Sequence, residues 1–160
     1  MTATLFQHVQ IIDPASNTNM VGECLVEQGR ISQLSDQSGS IKAPKDATII
    51  NGNGKALIPG LVDMRVQSCH PGAIHKETPL TLARAAARGG ITSIVCLPNT
   101  NPVLDDPEML KSQCQMLSGL SEPLKALKVY AYGAATSGLD GESMAELGLL
   151  TDAGAVGFTN

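Results

Sequence analysis

Hydrophobic and polar positions change rhythm once along this chain, near Pro59. From Thr4 to about Ile58, short apolar-rich runs alternate with clusters of turn residues. Thr4 to Ile12 reads as a strand, Asp13-Pro14-Ala15-Ser16-Asn17 as a turn, Glu23 to Glu27 as a strand, Gln28-Gly29-Arg30 as a turn and Ile31 to Leu34 as a strand. Ser35 to Pro44 is polar and loop-like, and Thr48-Ile49-Ile50 before Asn51-Gly52-Asn53-Gly54 gives one more strand and a tight turn. Runs of this length, bounded by Gly, Pro, Asn and Asp, predict a β-meander.

After Pro59 the pattern alternates strand with helix, which predicts parallel strands joined by crossover helices. Leu61 to Gln67 is the first strand. Thr78 as N-cap, Pro79 at the first helical position and Gly89-Gly90 as the stop enclose an Ala/Leu/Arg-rich helix. Ile91 to Leu97, rich in β-branched residues, is the second strand, and Pro98 to Pro102 a rigid loop at its end. Asp105-Asp106-Pro107-Glu108 supplies a cap, a proline and acidic residues for the next helix. Leu127 to Ala134 follows as a third strand. Ser143 to Glu146 has capping-box spacing and opens a helix ending near Asp152, and Ala155 to Phe158 starts a fourth strand. A complete (β/α)8 barrel takes ~250 residues, so this pattern amounts to about half of one. Open parallel edges are unfavourable, so the chain is expected either to be part of a longer protein or to associate, with copies of itself or with another chain.

Composition narrows the partners. With 42% hydrophobic and 16% charged residues the 160-residue chain can bury a real core, and its net charge of −4, without a basic cluster, does not favour nucleic acid or an anionic membrane. Aromatic residues make up 2% and there is no Trp, which excludes a base-stacking platform for single strands. No apolar run approaches the ~20 residues of a membrane span, and Met1 to His8 lacks a signal-peptide pattern, so a cytoplasmic location is expected. The four cysteines, Cys24, Cys69, Cys96 and Cys114, form no C-x-x-C pair and read as reduced thiols, with Cys96 a small buried hydrophobe. Gly54-Lys55-Ala56 does not meet the phosphate-loop spacing, since Ile49 stands for the first glycine and Ala56 for the hydroxyl.

The stretch with chemical character is Lys55 to Gly72. As a strand, Leu61 to Gln67 sets Asp63, Arg65 and Gln67 on one face and Val62, Met64 and Val66 on the other. A polar face on a buried strand calls for a function. Two imidazoles at alternate positions of such a strand would share a divalent metal. The alternate positions at the end of this face hold Arg65, which offers only donors and a permanent positive charge, and Gln67, a poorer ligand than imidazole.

The chain resembles dihydroorotase, an amidohydrolase. The likeness is carried by Leu57 to Asp63, Pro71-Gly72, His75 to Thr78, Gly89 to Thr92, Leu97 to Val103, Tyr132 to Thr136, Gly138-Leu139 and Gly154 to Thr159, in order and at matching spacing. It implies the N-terminal part of a (β/α)8 TIM-like amidohydrolase barrel (residues 59–160) preceded by a small β-sandwich segment (residues 1–58) built in the family from both chain ends. It also implies zinc in the active relatives, whose metal-bound hydroxide attacks the ring amide of dihydroorotate.

Carried over residue by residue, the resemblance places Arg65 and Gln67 where the family has its metal-binding histidines, and Cys69 where an arginine grips the substrate carboxylate. A thiol cannot supply that bidentate clamp. His70 replaces an acidic residue, and Asn160 falls where an Asp-Asp pair usually begins. Asn99 matches the family's substrate-contacting asparagine; its blander reading is a turn residue satisfying local backbone. His70 and His75 lack a recognised ligand spacing and read as solvent-facing loop residues, and His8 is assigned no role. Cys69 has no identified base to activate it. Arg65 is expected to fill the metal's charge vacancy, paired with Asp63 or a neighbouring acid. No catalytic residue and no cofactor are therefore expected. The resemblance implies an inactive dihydroorotase-like protein that assembles with aspartate carbamoyltransferase; the rival reading is a divergent amidohydrolase or a fragment of one.

Overall fold

The structure, a computed structural model, describes residues 3–119 and 126–160. The chain divides at Pro59 into two units, Met1–Pro59 and Gly60–Asn160.

In the first unit, β1 (Thr4–Asp13) is the central strand, flanked by antiparallel β2 (Thr18–Glu27) and by parallel β4 (Thr48–Asn51), with β3 (Arg30–Ser35) beyond β2 and the short β5 (Ala56–Leu57) also parallel to β1. The turn into β2 is held by the Asp13 carboxylate, which accepts from Ala15 N at 3.1 Å and Ser16 Oγ at 2.6 Å; those bonds lower its pKa. The two-residue connection to β3, Gln28-Gly29, has φ of 52° and 74°, the positive values that match the twist of a hairpin. β2 begins at Thr18, earlier than the apolar run from Glu23 predicts, because Thr18 to Gly22 complete the ladder with Val9 to Asp13. A bulge between Phe6 and Val9 leaves His8 at φ 54°. The core of this unit is aliphatic: Leu5, Leu25 and Ile41 in one cluster, Val9, Ile11 and Cys24 in another.

Glu23 is a carboxylate with no exposed surface inside this unit, and it holds the polar loop after β3 in place. It accepts from Gly39 N at 2.8 Å, Ile41 N at 3.2 Å and Gln7 Nε2 at 3.1 Å. That tether lets Ile41, the apolar residue of a loop that reads as polar, reach the core.

In the second unit β6 (Leu61–Val66), β7 (Ile91–Cys96) and β8 (Lys128–Ala131) form a parallel sheet in that order. β9 (Gly133–Ala134) pairs in parallel with β10 (Phe158–Thr159). The third expected strand is interrupted at Tyr132, whose N–H donates to Cys96 O at 2.9 Å and keeps the chain on β7. Crossover helices α1 (Pro79–Arg88) and α2 (Pro107–Ser118) lie between successive strands. Thr78 caps α1 and exchanges bonds with Thr81, and Asp106 caps α2 through Glu108 N and Met109 N. Val66, Ile94, Cys96 and Ala131 from the strands pack with Ala86, Leu110 and Leu150 from the helices.

Two sequence expectations fail near the end of this unit. Ser143 makes no capping box: α3 (Leu147–Asp152) has Glu146 at its N-cap with no side-chain bond, because residues 143–145 are committed to β-type bonds. Ser137 N donates to Ser143 O at 2.8 Å, Met144 bridges Thr136, and Ala145 N donates to Ala135 O at 3.1 Å. The last strand starts at Phe158 rather than Ala155, since Ala155 N is spent on Leu150 O, closing α3.

Hydrogen bonds from backbone N–H groups, Gly39 N foremost, favour the charged form of Glu23 and lower its pKa from the ordinary 4.5. Its contribution to stability is present above that value and is lost as the pH falls through the lower folded-state value. Acidification below about 4.5 is therefore expected to open the 37–41 loop. Amide exchange at Gly39 and Ile41 should accelerate in that window, and Glu23→Gln should remove most of the pH dependence. Exchange that is unchanged with pH, or equally steep in the variant, would contradict the assignment.

Candidate functional site

Val66 orients the site. It is buried in the core beside Cys96, its β7 partner in register, and its carbonyl accepts from Leu97 N at 2.8 Å. Its neighbours Arg65 and Gln67 are exposed, and each borders a cavity at the C-terminal end of the strands. This is the end of a parallel sheet at which open α/β folds bind ligands.

The strict alternation expected along this strand is broken. Asp63 is in register with Ile94 and Val66 with Cys96, so β6 holds one residue more than β7 between these pairs, a β-bulge. Met64 consequently borders the same cavity as Arg65 instead of following Val66 into the core. Asp63 stands beside the core residue Ile94, and its carboxylate accepts from the backbone N–H of Arg65 at 3.0 Å. The expected pairing of Asp63 with the Arg65 guanidinium is not made. Among the described residues the one ion pair is Lys111 with Glu108, at 3.0 Å.

Gln67, Cys69 and Asn99 are brought together. They border one polar cavity of about 290 Å³, together with Lys76, Thr100 and Asn101. The loop that carries Cys69 is fixed from below. Ser68 is buried, its hydroxyl donates to His70 O at 3.0 Å, and Gln113 Nε2, on α2, donates to Ser68 Oγ at 2.7 Å. Cys69 has φ 56°, a left-handed value uncommon for a side-chain-bearing residue, and its carbonyl accepts from Ala73 N at 2.8 Å. Gly72 has φ 107° and touches the next loop: a Cβ there would lie 2.6 Å from Asn101 Cβ. Asn101 N in turn donates to Pro71 O at 3.1 Å. The two loops therefore close on each other through contacts that only glycine permits.

Asn99 is exposed, and the turn around it is held by other groups: Thr100 Oγ1 donates to Pro102 O at 2.7 Å and Leu104 N to Pro98 O at 3.0 Å. His75 is exposed, but His70 is not the solvent-facing residue its loop position predicts. Its ring is half-buried, and Nδ1 lies buried without a hydrogen-bond partner among the described residues, as does Gln113 Oε1. Asn160 Oδ1 accepts from Thr136 N at 3.1 Å and Thr136 Oγ1 at 2.9 Å, a backbone-fixing use of this carboxamide. Lys76 and Tyr132, both bordering the cavities, carry no signal in the strand pattern that singles them out. The buried thiol of Cys96 has its pKa pushed up to about 12 by desolvation, with Cys114 adding a smaller effect, so it is inert.

A divalent metal does not fit these groups. The first strand offers a guanidinium and a carboxamide, and the described residues contain no cluster of three His, Cys, Asp or Glu side chains that could hold a metal ion. No helix among the described residues is long and apolar enough to cross a membrane.

Comparison with known proteins gives a consistent lineage. The family model described as Dihydro-orotase-like matches residues 54–160. A dihydroorotase of Geotalea daltonii is 38% identical over 94% of this chain and 34% of its own length. A dihydroorotase-like protein of Pseudomonas aeruginosa is also 38% identical, over 94% of this chain and 34% of its own. Among solved structures, an L-hydantoinase from Arthrobacter aurescens superposes with a TM-score of 0.72 at 22% identity, covering 99% of this chain and 32% of its own. A dihydroorotase superposes with a TM-score of 0.58 at 15% identity, covering 99% and 42%. The chain thus spans about a third of the length of the sequence relatives it matches. The architecture is that of part of an amidohydrolase (β/α)8 barrel with its small β unit, and the chain belongs to the dihydroorotase-like family.

Proposed function

We propose that this is a non-catalytic, cytoplasmic dihydroorotase-like protein of pyrimidine biosynthesis whose task is structural: to bind aspartate carbamoyltransferase and hold a complex together. One observation carries the reading. Arg65 and Gln67, at the end of β6, bring a guanidinium and a carboxamide to the positions where the resemblance implies metal-binding histidines, and neither group fits a cation. The framework around them is intact, from the capped helices to the glycine-dependent closure of Gly72 on Asn101. A fold kept in order around a site without metal ligands is what retention for contact rather than turnover leaves behind. The partner is named by family resemblance alone.

A second reading, a divergent amidohydrolase or a fragment of one, is favoured by the polar cavity in which Asn99 still lies beside Gln67 and Lys76. Such an enzyme would take its ligands from elsewhere in the protein.

Light scattering after size exclusion, on the full-length protein with aspartate carbamoyltransferase from the same cell, separates the two. Co-migration at a fixed stoichiometry, with no dihydroorotase activity in the isolated protein, is the expected result. Independent migration together with turnover would overturn the proposal. The double variant Arg65→His with Gln67→His should still fail to turn over dihydroorotate, because Cys69 cannot form the bidentate clamp on the substrate carboxylate. Turnover restored by those two changes alone would show that the defect is confined to the metal.

A further inference from the structure

We infer that Asn53 is a site of spontaneous covalent modification, losing its side-chain nitrogen as ammonia through a succinimide, and that the fold protects Asn51, which has the same neighbour. The inference concerns the first unit and depends on neither a metal nor a partner protein. The chain carries two Asn-Gly pairs in immediate succession, Asn51-Gly52 and Asn53-Gly54. Both hold the groups for one reaction. The glycine backbone N attacks Cγ of the asparagine, an approach that the missing glycine Cβ leaves unhindered. As the N–Cγ bond forms, the Cγ–Nδ2 bond breaks, and the nitrogen departs as ammonia with the proton given up by the glycine N. Water then opens the ring at either carbonyl, leaving aspartate or, where the main chain now runs through Cγ, isoaspartate. The balance is carboxamide and water to carboxylate and ammonium, with no redox partner required.

The structure separates the two pairs. Asn51 ends β4, in register with Gln7, and the N–H that would have to attack it, that of Gly52, donates to Gln7 O at 2.7 Å. Gly52 is buried, and a Cβ there would lie 2.9 Å from Val9 Cβ, so this peptide is packed against β1 and cannot swing toward the side chain. The Asn51 carboxamide is also held: its Oδ1 accepts from Asn53 N at 3.0 Å. Asn53 and Gly54 instead form the exposed tip of a turn closed by Lys55 N donating to Gly52 O at 2.8 Å. Gly54 has φ 74°, nothing lies within 4 Å of where its Cβ would be, and its N–H makes no hydrogen bond among the described residues. The attacking nitrogen and its target are therefore both available at Asn53 and both engaged at Asn51. The product has a structural consequence. Isoaspartate adds a methylene to the main chain inside the 52–55 turn, and the Lys55 carbonyl on its far side accepts from Gln10 N of β1 at 3.0 Å. Lengthening the turn shifts that carbonyl and loosens the pairing of β5 with β1.

The test is to hold the full-length protein for days at neutral pH and physiological temperature, folded and, in parallel, unfolded in urea, and to digest samples with trypsin. The peptide from Asp46 to Lys55 carries both asparagines, and its fragment spectra locate the gain in mass. In the folded protein Asn53 should convert at least about tenfold faster than Asn51, because the Gly52 N–H must first leave its ladder bond. In urea the two rates should become nearly equal. Asn53→Ser should remove the reaction at this position and leave the slow rate at Asn51; the side chain is exposed, so the unfolding temperature should not change. Amide exchange at Gln10 should accelerate in protein enriched in isoaspartate. Asn51 reacting as fast as Asn53 in the folded protein, no conversion of Asn53 there, or a preference for Asn53 that survives in urea would each overturn the inference. Unchanged exchange at Gln10 in the isoaspartyl form would overturn its stated effect on β5.

Discussion

The burial of one side chain, Val66, governs the rest of the site. Its packing against the helices fixes which way the end of β6 faces, and its carbonyl bond to Leu97 ties that end to β7. With Val66 committed to the core, its two neighbours stand on the opposite face, where Arg65 and Gln67 each border a cavity. In a metal enzyme that constraint presents two ligands. Here it presents a guanidinium and a carboxamide. The end of β6 therefore presents donor groups and a permanent positive charge, a surface that does not fit a metal cation.

The supporting structure is kept. Below the loop that follows β6, the chain of bonds from Gln113 through Ser68 to the His70 carbonyl anchors it to α2. Above, Gly72 lies against Asn101 and links that loop to the one after β7. Cys69 is thereby held in a left-handed conformation between two fixed points. Such conformations persist where surrounding structure over-determines them, and they concentrate at functional sites.

Much of this was legible in the sequence, because local chemistry decided it. Thr78-Pro79 and Asp106-Pro107 specify helix starts through bonds made within a few residues, and both helices begin where these signals place them. Arg65, Gln67 and Cys69 stood out only through the resemblance, which implies histidines and an arginine at their positions. What could not be read depended on distant partners. The bulge between Asp63 and Val66 arises from register with β7, so strict alternation misassigned Met64 and Asp63. Ser143 has the spacing of a cap, yet its backbone is claimed by Ser137 and Thr136 from the preceding turn. Ile41 lies in a polar run and reaches the core only because buried Glu23 bonds the backbone around it. His70 looked like a solvent-facing histidine until the packing beneath its loop buried one ring nitrogen.

The central claim, that the end of β6 has exchanged a metal's positive charge for a guanidinium, concerns the position of one ion. The most direct measurement is a crystal structure of the full-length protein grown with excess zinc, with anomalous data collected at the zinc edge. The account predicts no anomalous peak within bonding distance of residues 65 and 67, with the Arg65 side chain ordered in the cavity beside Tyr132. A zinc peak coordinated by Gln67 and other protein ligands, with Arg65 swung aside, would contradict it.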